Sequence, residues 1–258
     1  MEKNTVHIDE QPGGFGGATF DALRRSVGTR PRRWLITITL LLGLLAAVAM
    51  ATAGQSEDRT FATLSDMVQS LMSVTVPFLG VLLAHDLRRA PRTTRPAPTL
   101  LAATLLAAAV GLFGVLVCAA ALALAPSGTA PTPWRHAATI ALGGVLVQIV
   151  AQLVGTGLGL LLRPAVLACL ATIVLPLGLW AVLGGIDVLQ PAQAFTPYAT
   201  VRNLLSGRMS AANWAQWLVV LLIWGVGLNI VGLARLKRRK LDGETTPDGT
   251  AHDPAPAV

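Results

Sequence analysis

The sequence predicts an all-α, polytopic membrane protein with six transmembrane helices, and three observations predict it. Six long apolar runs, nearly free of charge, fill most of the 258 residues. Hydrophobic residues make up 53% of the chain and charged residues 13%, with a mean hydropathy of +0.61. Soluble domains carry about 25% charged residues, so the missing charge has been removed from surfaces that water does not touch. The basic residues crowd one set of connections and nearly desert the other. A run of about 20 apolar residues, rising roughly 1.5 Å per residue, crosses a hydrocarbon core of about 30 Å. One such bundle uses almost the whole chain, so no second globular domain is expected.

Residues 1–18 are polar and glycine-rich and read as a disordered tail. From Thr19, Phe20, Leu23 and Val27 recur at helical spacing while Asp21, Arg24 and Arg25 take the other face. That is a short amphipathic helix suited to a membrane surface, ended by Gly28 and Pro31. The first span runs about 34–53, with Trp34 at the interface and Arg30, Arg32 and Arg33 before it. It begins behind a polar leader and is long for a signal-peptide core, so it reads as a retained span. The second, about 67–85, is the most polar, with Gln69, Ser70, Ser73, Thr75 and Pro77 inside it. The third, about 99–125, is almost wholly aliphatic. The fourth, about 136–162, is stopped by Arg163-Pro164, since proline removes a donor and disfavours helix in the residue before it. The fifth spans about 165–184. The segment 186–213 is long for a connection. The sixth, about 214–234, ends at Arg235, Lys237, Arg238, Arg239 and Lys240, and residues 242–258 form a second polar tail read as disordered.

Orientation follows from the basic residues. With both termini cytoplasmic, only Arg59, Arg135, Arg202 and Arg208 of the 20 basic residues fall on the outer side. The positive-inside bias therefore selects this orientation, in the cell membrane. The net charge of +7 flanks apolar runs instead of lining one surface, which fits lipid headgroups and topology and not nucleic acid.

Catalytic material is scarce. His7 and His252 lie in the tails, His85 and His136 at helix ends, and no two share a metal-ligating spacing. His85-Asp86 is the nearest thing to a couple, and two interfacial polar residues meeting water explain it as well. Cys118 and Cys169 sit inside apolar runs and read as small buried hydrophobes. No Gly-x-Ser-x-Gly elbow occurs. A P-loop needs lysine after glycine, and the only lysines, Lys3, Lys237 and Lys240, follow none. No ionisable residue sits at the centre of a span, where burial costs at least ~2.5 kcal/mol, so an ion-coupled carrier is disfavoured. The chain is expected to be no enzyme and to need no cofactor.

Uncharged polarity remains. Gln148 and Gln152 are four apart and share one helix face. Together with Gln69, Ser73, Thr75 and Asn229 they either bond helix to helix or line a substrate path. Gly155 and Gly159 form a small-xxx-small pair, serving packing within the chain or dimerisation. Arg88, Arg89, Arg92 and Arg95 either enforce topology and bind headgroups or form a docking surface for a cytoplasmic partner.

The order of these features resembles the membrane subunit of ABC-2 type (type-2 ATP-binding-cassette) exporters, particularly those of high-GC Gram-positive bacteria. TFDALRRSVGTRPRRW resembles the family's elbow helix. HDLRRAPRTTRPAPTLLAATLLAAAV resembles its basic loop leading into the third helix, and GTGLGLLLRPAVLACLATIVLPL the passage from the fourth to the fifth. AFTPYATVRNLLSG and NWAQWLVVLLIWGVGLNIVGLARLKRRKLD resemble its external segment and last helix. The likeness covers residues 19–241 and departs after the second helix, where Asp86 stands without the family's glycine. It implies an elbow helix, an external re-entrant segment between helices 5 and 6, and two permease subunits, identical or paired with a similar one. It also implies a separate ATPase docked through Arg24, Arg25, Asp86, Arg88, Arg89, Arg92 and Arg95. An amphipathic, lipid-like or drug-like substrate would move by alternating access. A non-transporting membrane anchor or sensor that binds a cytoplasmic partner is the alternative, and an intramembrane enzyme a third reading.

Overall fold

A computed structural model describes residues 15–53, 59–89, 96–124 and 131–242. The tails, apart from their helical ends, therefore lie outside the described residues, and so do Arg92 and Arg95. Among the described residues the architecture is all-helical, and six helices are long and apolar enough to cross a membrane. In chain order they are α2 (Arg30–Ala53), α3 (Phe61–Arg89), α4 (Pro96–Ala123), α5 (Ala137–Leu161), α6 (Ala165–Gly184) and a composite last span. That span joins α8 (Ala211–Val220) to α9 (Leu228–Asp242) through a π-helical stretch, Leu221–Gly227. A short α1 (Phe15–Gly28) precedes α2, and a 3-10 helix (Asp187–Phe195) with α7 (Pro197–Leu205) links α6 to α8.

The expected spans are all present, with shifted ends. The first helix starts at Phe15, inside the stretch read as tail, because it packs against α4 and α2 instead of standing alone. Pro31 does not close α1. It sits in the first turn of α2, where its missing N–H leaves no helical bond unmade. α3 begins six residues earlier than its apolar run, because the Thr60 hydroxyl accepts from the Thr63 amide at 3.1 Å and caps the turn. The long 186–213 segment is mostly helical, and Thr196 caps α7 in the same way, accepting from Ala199 at 3.3 Å.

α3 and α5 form the axis of the bundle, and glycine sets how close they lie. A Cβ built on Gly155 would overlap the Pro77 carbonyl, and one on Gly159 would meet Ala84 and Val81 of the same helix. Small residues let two backbones touch where lipid supplies no hydrophobic drive. The Gly155/Gly159 pair thus packs within the chain. α2 and α4 wrap α3 around a core of Phe61, Leu64, Val68, Met72, Val110 and Cys118. α6 is the least covered span: Val166, Leu167, Leu170, Val174, Leu177 and Val182 are exposed along it. Such an apolar surface needs lipid or another subunit, not water. The chain is a multi-pass membrane protein.

Candidate functional site

Three groups of polar residues decide what this bundle can do: an amide belt at its centre, a cavity beside it, and a charged end.

The amide belt is built on α3 and α5. Gln69 and Gln148 are fully buried. The Gln148 side-chain amide donates to the Gln69 side-chain oxygen at 2.8 Å and to the Gln69 carbonyl at 3.0 Å. Gln69 in turn donates to the Gly111 carbonyl of α4 at 3.0 Å. Gln152, with its amide oriented to satisfy both neighbours, donates to the Val76 carbonyl at 2.8 Å and accepts from the Gly80 amide at 3.3 Å. Those two backbone groups are four residues apart, the pair that closes one turn of α3, and Pro77 lies between them. Asn229 serves the last span, donating to Leu153 of α5 at 2.8 Å and to Gly225 in the π stretch at 2.6 Å. Thr75 shares a 2.8 Å bond with Thr39 of α2.

Of the two readings of these residues, the structure shows the bond between helices for Gln69, Thr75, Gln148, Gln152 and Asn229, and none of the five lines the cavity between α3, α5, α6 and α7. Gln152 also borders a small void beside Arg32, Leu79 and Ala103. The amide nitrogens find partners, as buried polar groups in an apolar bundle must, whereas the buried side-chain oxygens of Gln148 and Asn229 have none among the described residues.

The cavity lies between α3, α5, α6 and α7 and has a volume of about 250 Å³. Its walls are mostly aliphatic, among them Val74, Val150, Val154, Ile173 and Leu177. Of the expected path residues only Ser73 reaches it. Ser70, Thr172 and Tyr198 join it, and sequence reasoning missed their role there. Ser70, Ser73 and Pro77 recur at three- and four-residue spacing, so one face of α3 carries a signal that was legible. Tyr198 comes from α7 and is brought over by packing: its ring meets Trp180 edge-on at 4.9 Å. The Ser73 hydroxyl donates to the Ser70 carbonyl and that of Thr172 to Cys169, both at 2.7 Å. The Ser70 and Tyr198 hydroxyls have no hydrogen-bond partner among the described residues. An uncharged, aliphatic space with two available hydroxyls suits a neutral or alkyl portion of a ligand.

The charged end gathers where α2 enters and α3 leaves. Arg32 is 4% exposed and donates to Asp86 at 2.7 Å and to the Leu82 carbonyl at 3.1 Å. Arg88 donates to the Leu160 carbonyl at 2.6 Å and to that of Arg163 at 3.3 Å. It thereby closes the last turn of α5 and the turn into α6, where helical carbonyls lack intrahelical donors. Asp86 and Arg88, expected on a docking surface, are thus engaged within the chain. Arg24 and Arg89 are exposed, and Arg25 lies in α1. Among the described residues the Asp86 carboxylate pairs with Arg32 and no ion pair joins it to His85. Among the described residues no three of His, Cys, Asp and Glu gather as metal ligands.

Comparison with family models, with curated proteins and with solved structures gives no match.

Proposed function

We propose that the chain is the membrane-spanning permease subunit of an ATP-binding-cassette exporter. It would move an amphipathic, lipid-like or drug-like substrate across the cell membrane. One observation carries the reading: a single helix, α3, holds both the wall of the cavity and the basic end of the bundle. Ser70, Ser73, Val74 and Pro77 face the cavity, while Arg88 and Arg89 stand three turns further on. A displacement at that end reaches the cavity through a stiff element, with Pro77 as the point where it can bend. Alternating access needs such a link, because the chain carries no lysine-bearing P-loop and ATP must be hydrolysed on a partner.

In this reading the Arg32–Arg88 end is cytoplasmic, with both termini on that side. α1 is the elbow helix on the membrane surface. The 3-10 helix and α7 form the external re-entrant segment, which caps the cavity through Pro197 and Tyr198. The 3-10 helix is tied to α6 at one point, where Gln193 donates to the Trp180 carbonyl at 3.0 Å. A second permease subunit covers the exposed face of α6. The ATPase docks through Arg24 and Arg89.

The test is reconstitution. The chain should be purified from its native membrane with whatever nucleotide-binding subunit accompanies it, and placed in liposomes. Hydrolysis that rises on assembly, together with ATP-dependent movement of a fluorescent amphiphile, is expected. A stable complex with no nucleotide hydrolysis would overturn the permease reading. It would favour a membrane anchor or sensor, which the tightly bonded amide belt also suits.

A further inference from the structure

We infer that the bundle end opposite Arg32 carries a site for one anionic phospholipid, held by its phosphodiester. The inference needs no partner and does not depend on the transport reading.

The site is a cleft of about 800 Å³ at the start of α5 and of α8, lined by Arg135, His136, Leu142, Arg208, Met209 and Trp214, with Gly207 at its back. Arginine is scarce at this end: it holds four of the 20 basic residues, and two of the four converge here. Among the described residues neither guanidinium has an ion pair and no acidic side chain lines the cleft. Charge of one sign without an acid invites an anion, and the guanidinium fork fits phosphate oxygens.

The cleft is also built, not incidental. His136 (φ 59°) and Gly207 (φ 71°) are the only residues with positive φ among those described. They interlock: a Cβ on Gly207 would lie 2.9 Å from that of His136 and 2.8 Å from Ile140 Cγ1. Phe61 holds the approach to His136 in place. Its amide donates to the Pro133 carbonyl at 2.8 Å and its ring stacks on Trp134. A left-handed histidine persists only where its surroundings over-determine it, and such positions gather at binding sites.

Depth selects the ligand. Two spans, α5 and α8, begin at this cleft, so it lies at the boundary between headgroups and hydrocarbon. Leu142, in the second turn of α5, and Trp214, in the first turn of α8, line the cleft beside the arginines, with indole at the level where it is favoured. A phosphate bonded by Arg135 and Arg208 would leave its acyl chain against Leu142 and Trp214. A soluble phosphate would leave that wall uncovered.

Native mass spectrometry of the full chain from neutral detergent, with added phosphatidylglycerol, tests this by counting bound lipids. Lipid bound at the basic opposite end is common to all variants, so the difference between them is decisive. Arg135→Gln with Arg208→Gln should carry one phosphatidylglycerol fewer than wild type. Arg202→Gln, an exposed arginine at the same end outside the cleft, should match wild type. Ala138→Glu, which places a carboxylate in the cleft and keeps both arginines, should lose the same lipid should the double variant fail to fold. Equal counts in wild type and cleft variants would overturn the site. Retention of phosphatidylcholine in equal number, or displacement of the lipid by glycerol 3-phosphate alone, would overturn its assignment to an anionic lipid.

Discussion

The Asp86 carboxylate closes on the Arg32 guanidinium at 2.7 Å, tying the entry of α2 to the exit of α3 across 54 residues of sequence. The pair is unequal, with side chains 5% and 55% exposed. Asp86→Ala therefore removes one acceptor from a buried guanidinium that keeps its bond to the Leu82 carbonyl, while the reverse change leaves a carboxylate that water can reach. A pair between the surface and buried extremes is worth about 1–3 kcal/mol. Arg32→Ala should cost less than Asp86→Ala adjusted for lost packing, and the double variant less than the sum of the two. Thermal unfolding in detergent measures the coupling; strictly additive losses would show that the contact contributes nothing.

Gly155 sits on the Pro77 carbonyl, so the α3–α5 crossing should not tolerate a methyl group. The neighbour is backbone and cannot rotate away, which makes overpacking the mechanism, with a cost of about 1–3 kcal/mol. Gly155→Ala is expected to lower the yield of monodisperse protein and its thermal midpoint. Gly178→Ala, where the added Cβ meets nothing within 4 Å, is the control and should be neutral. A Gly155→Ala protein as stable as the control would break the account of how the helices cross.

How much of this was readable beforehand divides along one line. The six spans and the ends set by Arg163-Pro164 were legible because each depends on local composition: apolar length, and a residue that stops a helix. The destination of a polar side chain was not. Gln148 and Gln152 share a face, but nothing local says whether that face meets a path or Gln69 and Val76. Proximity across 79 residues, as between Gln148 and Gln69, is a property of the crossing angle and not of either helix. The contacts of Arg88 were hidden for the same reason: its run of arginines looks like a solvated surface, yet its guanidinium reaches the end of α5. The cavity was half legible, since Ser70 and Ser73 mark the face of α3 that forms it. Tyr198 was not, because α7 lies between two spans as a separate short helix.

The Gln69–Gln148 bond predicts coupling between α3 and α5. Interhelical hydrogen bonds in membrane bundles average about 0.6 kcal/mol and reach about 1.7 in double-mutant cycles. Gln69 here serves two partners, Gln148 and Gly111, so its replacement by leucine should cost more than that of Gln148. The double variant should be little worse than Gln69→Leu alone. Loss of transport with unchanged thermal stability in Gln148→Leu would reverse the assignment and return this residue to a substrate path.

Filling the cavity separates its function from its packing. Ser73→Phe places a ring into a space of about 250 Å³ without displacing a hydrogen bond between helices. Buried apolar surface added to an existing void leaves stability unchanged or raises it, whereas a ligand loses its seat. If the chain is the proposed permease, ATP-dependent transport should fall at least about tenfold, a barrier change near 1.4 kcal/mol, at a thermal midpoint at or above wild type. Transport at the wild-type rate in a folded Ser73→Phe protein would exclude this cavity from the path.

Docking can now be tested without disturbing the fold, because the basic end contains arginines of two kinds. Arg88 holds the Leu160 and Arg163 carbonyls, and Arg88→Ala should destabilise the α5–α6 turn by about 1–3 kcal/mol, the range for losing charged hydrogen bonds. Any loss of partner binding in that variant is ambiguous. Arg24 and Arg89 are exposed, so reversing them to glutamate changes a surface potential and little else. If the ATPase docks there electrostatically, Arg24→Glu with Arg89→Glu should weaken its binding most at low salt, with the difference from wild type shrinking as salt screens the surface. The unfolding free energy of the isolated chain should stay within about 0.5 kcal/mol of wild type, as surface changes usually leave it. Undiminished binding at low salt would move the docking surface away from α1 and the end of α3.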